Sequence, residues 1–302
     1  MFKAIQREIQ SGSPCSVKEL CELAGVSRSG YYRWISSRDA YEARQLRDIE
    51  DFRLIREAYD FRGYAKGYRS ICMRLKRMGT PMNHKKVLRL MNKFGLKCPV
   101  RKANPYRRMA RELKTDTVFR NYVNREFRKH GPRKILLTDI TYIRLKNEFC
   151  YLSVIKDAYT MQILAYRLSE SLEVDFVLDT VNQLLSKHKC SLDDETIIHS
   201  DQGCHYTSVA FRTLVSNSSL RQSMSRKGNC WDNAPQESFF GHMKDELKPY
   251  AKNWETFDDV KERVDDWMNY YNNDRYQTIL NGMSPNEFYK NLELNNAHNV
   301  TI

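Results

Sequence analysis

Residues 199–247 read HSDQGCHYTSVAFRTLVSNSSLRQSMSRKGNCWDNAPQESFFGHMKDEL, and this stretch decides how the rest of the chain is interpreted. Its first half places Asp201 just past Ile197-Ile198, a short apolar run that predicts a buried strand. Its second half places Glu237 in the first turn of a predicted helix. The stretch therefore predicts two carboxylates on rigid elements, with 35 residues between them.

The start of the predicted helix is well marked. Asn233 is a good N-cap, Gln236 completes a capping-box pattern, and Pro235 is tolerated in the first turn. The helix dipole alone would also favour an acid at Glu237. Lys244 lies two turns further on the same face. The apolar side is formed by Phe239, Phe240, Met243 and Leu247.

A third carboxylate precedes the stretch. Asp139 lies inside the β-like run Ile135–Leu145, where an acid is costly unless it is paired or bound to a cation. Mg²⁺ takes oxygen ligands, usually one or two carboxylates per ion, and two such ions can assist phosphoryl transfer. Read alone, Asp139 could be a salt-bridged structural residue and Asp201 a simple turn residue. Rival acids are Asp157, read as a structural turn residue, and Asp232.

Several motifs resemble a known family. They are TDITYI around Asp139, HSDQG around Asp201, SMSRKGNCWDNAPQESFFGHMKDEL around Glu237, and YYNNDRYQTILNGMSP near the end of the chain. With the 35-residue spacing, these motifs resemble the DDE superfamily of transposases and retroviral-type integrases. More narrowly, they resemble the downstream-frame (OrfB-type) product of the IS3 family of bacterial insertion-sequence transposases. The likeness covers nearly the whole chain.

The resemblance implies an α/β fold with a mixed sheet, namely an RNase H-like, integrase-type catalytic core. Asp139, Asp201 and Glu237 would be both its catalytic residues and the ligands of two Mg²⁺ (or Mn²⁺) ions. Water would cut DNA to expose a 3′-hydroxyl, which would then attack another phosphodiester without a covalent protein–DNA intermediate. The expected partners are double-stranded DNA, as the terminal inverted repeats of the element and as target, and further copies of the chain. A copy-out route and partnership or fusion with an upstream-frame product are also implied.

Charge separates the two halves of the chain. Residues 1–133 carry 32 Lys and Arg against 13 Asp and Glu, a net charge of +19, whereas residues 134–302 carry 18 against 24, a net charge of −6. A basic front half favours a polyanionic partner, and DNA is the natural one because phosphate neutralisation releases counterions.

Residues 1–62 are predicted to form a first unit, a helix-turn-helix followed by a long helix. Ser16 and Ser27 are candidate N-caps, and Gly25 lies at the turn between them. Arg28 and Arg33 would lie on the exposed face of the second helix, where such motifs contact DNA. Residues 39–62 form the charge-rich long helix, whose apolar positions fit packing within the unit or against a partner chain equally well.

Residues 63–100 are predicted to form a second helix-turn-helix unit, with a break between its helices at Gly79-Thr80-Pro81 and an N-cap at Asn83. The second helix of this unit presents a stripe of cations that suits phosphate contact, formed by Lys85, Lys86, Arg89 and Lys93. Residues 101–133 are a basic linker expected to lie along DNA. The linker includes Arg107, Arg108 and Arg133. Further candidate DNA contacts are Arg226, Lys227 and Lys244, the last of which we expect to meet DNA phosphate.

From residue 134 the pattern changes to strands. Three β-branched and aromatic runs predict an antiparallel meander, followed by alternating helices and strands through residue 250. We predict the catalytic core over 134–250 and a C-terminal helical segment over 251–302, with Thr256 as a cap and an apolar stripe that packs in the core. This order is that of the RNase H-like fold which the resemblance names.

Composition indicates the cellular compartment in which the protein works. Eight cysteines with no CxxC pair are typical of reduced thiols. The sequence shows no run of 18 apolar residues and no apolar leader, so membrane insertion and export are not expected. We expect a cytoplasmic, nucleoid-associated protein. His199 and His205 flank Asp201, but two histidines without a Cys pair are weak support for zinc.

Two alternatives to a transposase stay open on the residues alone. One is a DNA-binding regulator with a degenerate core, against which the intact acidic triad argues. The other is a different RNase H-like nuclease, which would cut DNA without joining it.

Overall fold

The computed structural model describes residues 1–98, 121–225 and 233–300. The chain opens with three helices, α1 (Phe2–Gln10), α2 (Val17–Leu23) and α3 (Arg28–Asp60). They pack around the buried side chains of Ile5, Cys21 and Tyr31. Ser16 caps α2 in a capping box, Ser27 caps α3, and Gly25 takes a φ of +64° between them. These contacts confirm the local structure predicted for the first helix-turn-helix.

The long helix is longer than the pattern predicted. The second helix of the motif and the charge-rich helix are one continuous element of 33 residues, α3. No Gly or Pro interrupts the join, and the hydroxyls of Ser36 and Ser37 donate to carbonyls of the preceding turn. Ile55 is buried against the next two helices, whereas Leu46 and Ile49 are exposed.

The second basic unit consists of α4 (Tyr68–Arg77), α5 (His84–Lys93) and the end of α3. Its core is formed by Ile55, Ala58, Ile71, Leu75, Val87, Leu90, Met91 and Leu96. The Asn83 side chain accepts from the backbone N–H of Lys85, which confirms the predicted cap. Apolar spacing and cap chemistry therefore account for this unit.

A five-stranded mixed sheet forms the centre of the second half of the chain. Its strands are β1 (Ile135–Leu145), β2 (Glu148–Asp157), β3 (Ile163–Ser169), β4 (Ile197–Ser200) and β5 (Arg221–Met224). Their order is β3-β2-β1-β4-β5. β1, β2 and β3 form the predicted antiparallel meander, and β4 and β5 add in parallel to β1. This arrangement is the RNase H-like fold, with β1 at its centre.

Helices cover both faces of the sheet. They are α6 (Asp175–His188), α7 (Cys204–Thr207), α8 (Val209–Asn217), α9 (Ala234–Ala251), α10 (Phe257–Asn273) and α11 (Pro285–Val300). α6 and α8 pack against one face, and α9 and α10 against the other. Thr256 caps α10 with Asp259 in a capping box, and Val260, Val264, Trp267 and Tyr271 are buried, as predicted.

None of the helices in the described parts of the chain is long and apolar enough to cross a membrane. The cysteines that the structure describes are free thiols.

Candidate active site

Strand register brings Asp139 and Asp201 together. In the parallel pair of β1 and β4, Leu137 lies opposite His199. Asp139 is two residues beyond Leu137 and Asp201 two residues beyond His199, so both are level and on one face of the sheet. Neighbouring strands are about 4.8 Å apart, which places the two acids side by side.

The turn after β4 orients Asp201. Its Oδ1 accepts the backbone N–H of Gly203 at 2.9 Å, and its main-chain oxygen accepts the hydroxyl of Ser200 at 2.9 Å. The Gln202 side-chain amide donates to the carbonyl of Ser225 at 3.2 Å, which ties this turn to the end of β5. Asp201 is exposed, just past the last residue of β4.

The first turn of α9 closes the site in a way that the sequence did not predict. Asn233 is the N-cap residue, but its side chain makes no capping hydrogen bond; instead Nδ2 donates to Asp139 Oδ2 at 3.0 Å. The predicted capping box is therefore wrong. Gln236 is fully buried, and neither atom of its side-chain amide has a hydrogen-bond partner among the described residues. Both amides face inward because the sheet, rather than solvent, lies beside this turn.

Glu237 is the fourth residue of α9, one turn after Asn233, and is partly buried. Burial raises the pKa of Asp139 to about 7, and repulsion from Asp201 and then Glu237 adds to the effect. The N–H of Ile140 and the amide of Asn233 oppose it by donating to the carboxylate. Asp139 is thus close enough to Asp201 and to Glu237 to be repelled by both. A cation there would relieve this repulsion.

Lys156 is a buried neighbour of the acids that sequence reasoning missed. It lies on β2 opposite Leu137, and its Nζ donates to the carbonyl of Pro235 at 2.7 Å and lies 5.1 Å from the centre of the Phe239 ring. Burial lowers its pKa to about 7, against the attraction of Asp139. A lysine directly after the apolar pair Val154-Ile155 in a predicted strand was the signal that could have found it.

The donor set is all oxygen, which suits a hard cation such as Mg²⁺. Among residues 1–98, 121–225 and 233–300, however, no three His, Cys, Asp or Glu side chains are close enough together to hold one ion. The arrangement fits ions that each take one or two carboxylates and complete their shells from elsewhere.

The rival acid Asp157 has a structural role. It is fully buried and accepts from Arg133, both from the backbone N–H at 3.0 Å and from the guanidinium at 2.8 Å. It also accepts the backbone N–H groups of Tyr159 and Thr160. Arg133, predicted to belong to a DNA-contacting linker, is buried in this pair, because its side chain turns toward the end of β2. The prediction for Arg133 is wrong.

The two histidines near Asp201 have other partners. His199 is buried and its Nδ1 lies 2.9 Å from the hydroxyl of Ser223. His205 Nε2 lies 2.7 Å from the carbonyl of Leu172. Asp232, Arg226 and Lys227 lie outside the described residues, as do Arg107 and Arg108.

The remaining predicted DNA contacts lie in two places. Arg28 and Arg33 are exposed near the start of α3, Lys85 is exposed at the start of α5, and Lys244 is exposed on α9. The other three cations of the α5 stripe, Lys86, Arg89 and Lys93, face α3 and form ion pairs with its acids. Arg89 and Lys93 each lie 2.7 Å from the carboxylate of Asp48, and Lys86 lies 2.6 Å from that of Asp51.

Comparison with known proteins agrees with this architecture. Models of an integrase core domain match residues 129–230 and 237–294, and an HTH-like domain matches residues 45–104. The fold and these domains define the class: a polynucleotidyl transferase core of the integrase type, joined to a DNA-binding helix-turn-helix module.

Individual relatives narrow the class. The chain is 31% identical over 273 residues to InsK of insertion sequence element IS150 from Escherichia coli (strain K12), covering 89% of this chain and 92% of that protein. It is 28% identical over 275 residues to the transposase InsF for insertion sequence IS3A of the same organism, covering 90% and 93%. The HTLV-2 integrase catalytic core in complex with magnesium shares 15% identity at a TM-score of 0.40, covering 52% of this chain and 97% of that one. The chain belongs to the IS3 family of insertion-sequence transposases, and it is a DNA transposase.

Proposed function

We propose that Asp139, Asp201 and Glu237 hold two divalent ions, Mg²⁺ or Mn²⁺, and that this site cuts and joins the ends of the element. The observation that carries the proposal is geometric: Asp139 on β1 lies level with Asp201 in the turn after β4, and Glu237 follows one turn into α9, whose N-cap Asn233 binds Asp139. Burial raises the pKa of Asp139 to about 7, and repulsion from Asp201 and then Glu237 adds to the effect. Such ions, when bound, activate the attacking oxygen and stabilise the leaving one.

The surrounding residues hold the acids in place. Asn233 and the N–H of Ile140 each bind one oxygen of Asp139, so its carboxylate is oriented before any ion arrives. Lys156 ties the first turn of α9 to β2 through Pro235 and so holds Glu237 near the sheet. We expect this preorganisation to matter because it avoids reorganisation at the moment of reaction.

DNA is proposed to reach this site from the basic half of the chain. Arg28, Arg33 and Lys85 are the exposed cations proposed to bind the terminal inverted repeats, and Lys244 is proposed to hold phosphate beside Glu237. We propose the remaining predicted cations for the same role, with Lys86, Arg89 and Lys93 able to exchange their carboxylate partners for phosphate. Cutting exposes a 3′-hydroxyl, which is then joined to another phosphodiester. We propose that a homo-oligomer holds two ends at once, and that an upstream-frame product is a partner.

We likewise propose five regions for the chain, at the boundaries predicted above. Residues 1–62 and 63–100 would bind DNA, 101–133 would link them to the core, 134–250 would carry the chemistry and 251–302 would support it.

The test uses a labelled duplex carrying one end of the insertion element that encodes the chain, with Mg²⁺ or Mn²⁺. Asp139→Asn, Asp201→Asn and Glu237→Gln are each expected to retain binding to the duplex and to lose both cutting and joining. Because the three act as a unit, a double substitution should be no worse than a single one.

Asp194→Asn is the matched control, since Asp194 is an exposed acid of the same domain outside the site. Wild-type joining by any of the three site variants would remove that residue from the site. A wild-type protein that binds the duplex but never cuts would be a regulator, and one that cuts without joining would be another nuclease.

A further inference from the structure

The segment from Tyr270 to Glu287, termed here the closing segment, contains the YYNNDRYQTILNGMSP motif, whose role its residues do not reveal. In the structure it lies between the second basic unit and α9. Its contacts with each are specific.

On one side, side chains of the closing segment bind side chains of α4. The guanidinium of Arg77 donates to both carboxylate oxygens of Glu287, at 2.8 and 2.7 Å, and lies 4.7 Å from the centre of the Tyr276 ring. Arg74 donates to the Tyr276 hydroxyl at 3.4 Å. Gly282 has a φ of +76°, and a Cβ there would lie 3.5 Å from the sulfur of Met73. A planar guanidinium that meets a carboxylate with two hydrogen bonds fixes orientation as well as distance.

The chain between α3 and α4 is held by the same region. Arg62 donates to Asp274 at 2.9 Å, and the ring of Tyr64, fully buried, lies 4.6 Å from that of Tyr270. The Tyr64 hydroxyl donates to Asp266 at 2.6 Å. Aromatic burial combined with directed polar contacts resists the relative motion that is the default between domains of one chain.

On the other side, the closing segment is tied to the helix that carries Glu237. Arg275 donates to Glu246 of α9 at 2.9 and 3.2 Å. The indole of Trp267, on α10 just before the closing segment, donates to the same carboxylate at 2.9 Å. Glu246 is nine residues after Glu237 on α9. The second basic unit is therefore connected to the catalytic helix through side chains of the closing segment.

We propose that the closing segment sets which phosphodiester is cut, because it fixes the DNA-binding unit of α4 and α5 at one distance and orientation from the three acids. This inference rests on the proposed function, since it requires that α4 and α5 bind the element end and that the acids cut it. The Arg77–Glu287 pair is the contact by which it is tested.

The test is charge reversal, because removing one charge from a half-exposed pair perturbs it little. Arg77→Glu and Glu287→Arg each place like charges where a bidentate pair was, and the double variant restores the pair in reverse. On the labelled element-end duplex with Mg²⁺, each single variant is expected to cut the wild-type phosphodiester about tenfold less or to cut at shifted positions. Glu287→Arg should do so without weaker binding, since it adds a positive charge. The double variant should recover the wild-type position.

Lys76→Glu is the control, since Lys76 is an exposed cation of α4 next to Arg77 and makes no ion pair among the described residues. Its effect should not be repaired by Glu287→Arg. Wild-type yield and position for Glu287→Arg, or no repair of Arg77→Glu by Glu287→Arg, would overturn the inference. A wild-type protein that neither cuts nor joins would instead overturn the proposed function, and this inference with it.

Discussion

Replacement of Lys156 by Met is expected to stabilise the fold. The side chain of Lys156 is buried, and within the described parts of the chain the ammonium group has one carbonyl acceptor, that of Pro235, and lies beside the ring of Phe239. Met has nearly the same length and needs no hydrogen-bond partner, so it fills the same space without a buried charge.

The size of the effect follows from the pKa of the amine. Burial lowers it from 10.5 to about 7, and at about 1.4 kcal/mol per pH unit this corresponds to about 5 kcal/mol at pH 7 or below. The lost hydrogen bond offsets about 1 kcal/mol. We therefore expect Lys156→Met to raise the free energy of unfolding by about 2–4 kcal/mol near pH 7.

The gain must depend on pH in a defined direction. The unfolded chain binds more protons than the folded one between the two pKa values, so wild-type stability rises with pH across this window. The advantage of Lys156→Met should shrink to about 1 kcal/mol or less near pH 9.5.

Urea denaturation of the metal-free proteins at both pH values measures the difference, with Lys187→Met, an exchange on α6 away from the site, as control. A Met variant less stable than wild type at neutral pH, or a gain that does not change with pH, would refute the reasoning. Because the anchor to Pro235 is lost, we also expect Lys156→Met to join element ends more slowly than wild type.

Two further substitutions test the packing of the chain. Asp48→Asn should lower the thermal midpoint, because the guanidinium of Arg89 and then the ammonium of Lys93 hold the pKa of this carboxyl well below its usual range. The stabilisation from this carboxylate is present above the usual pKa and is lost as the pH falls. The loss of thermal midpoint in the variant should therefore be larger at neutral than at acid pH, as measured by thermal melting. Asp157→Asn should cost about 3–5 kcal/mol, read from urea midpoints, because it leaves the buried guanidinium of Arg133 unpaired. A loss of joining by Asp157→Asn with unchanged stability would instead return that acid to the active site.

Much of the local structure was predictable because its causes lie within a few residues. β1 has the predicted bounds, Ile135–Leu145, since an apolar strand pattern there ends at a polar turn. The caps Ser16, Ser27, Asn83 and Thr256 all accept from their own helix, as their sequence context predicted. The family resemblance, carried by motifs around Asp139, Asp201 and Glu237, supplied the RNase H-like fold before any coordinates were considered.

Asn233 shows where local reasoning ends. Its context is that of a helix cap, yet its amide binds Asp139, 94 residues earlier in the chain. Arg133 belongs to the predicted basic linker, and it instead meets Asp157, an acid brought to it by another element.

The sequence by itself determined most of the helices and strands and the family, because periodicity, capping and motif order are properties of neighbouring residues. Only the tertiary structure decided that Lys156 binds the first turn of α9, and that the closing segment joins α4 to α9. Such pairings depend on which surfaces the folded sheet and helices bring face to face, and no local pattern encodes that.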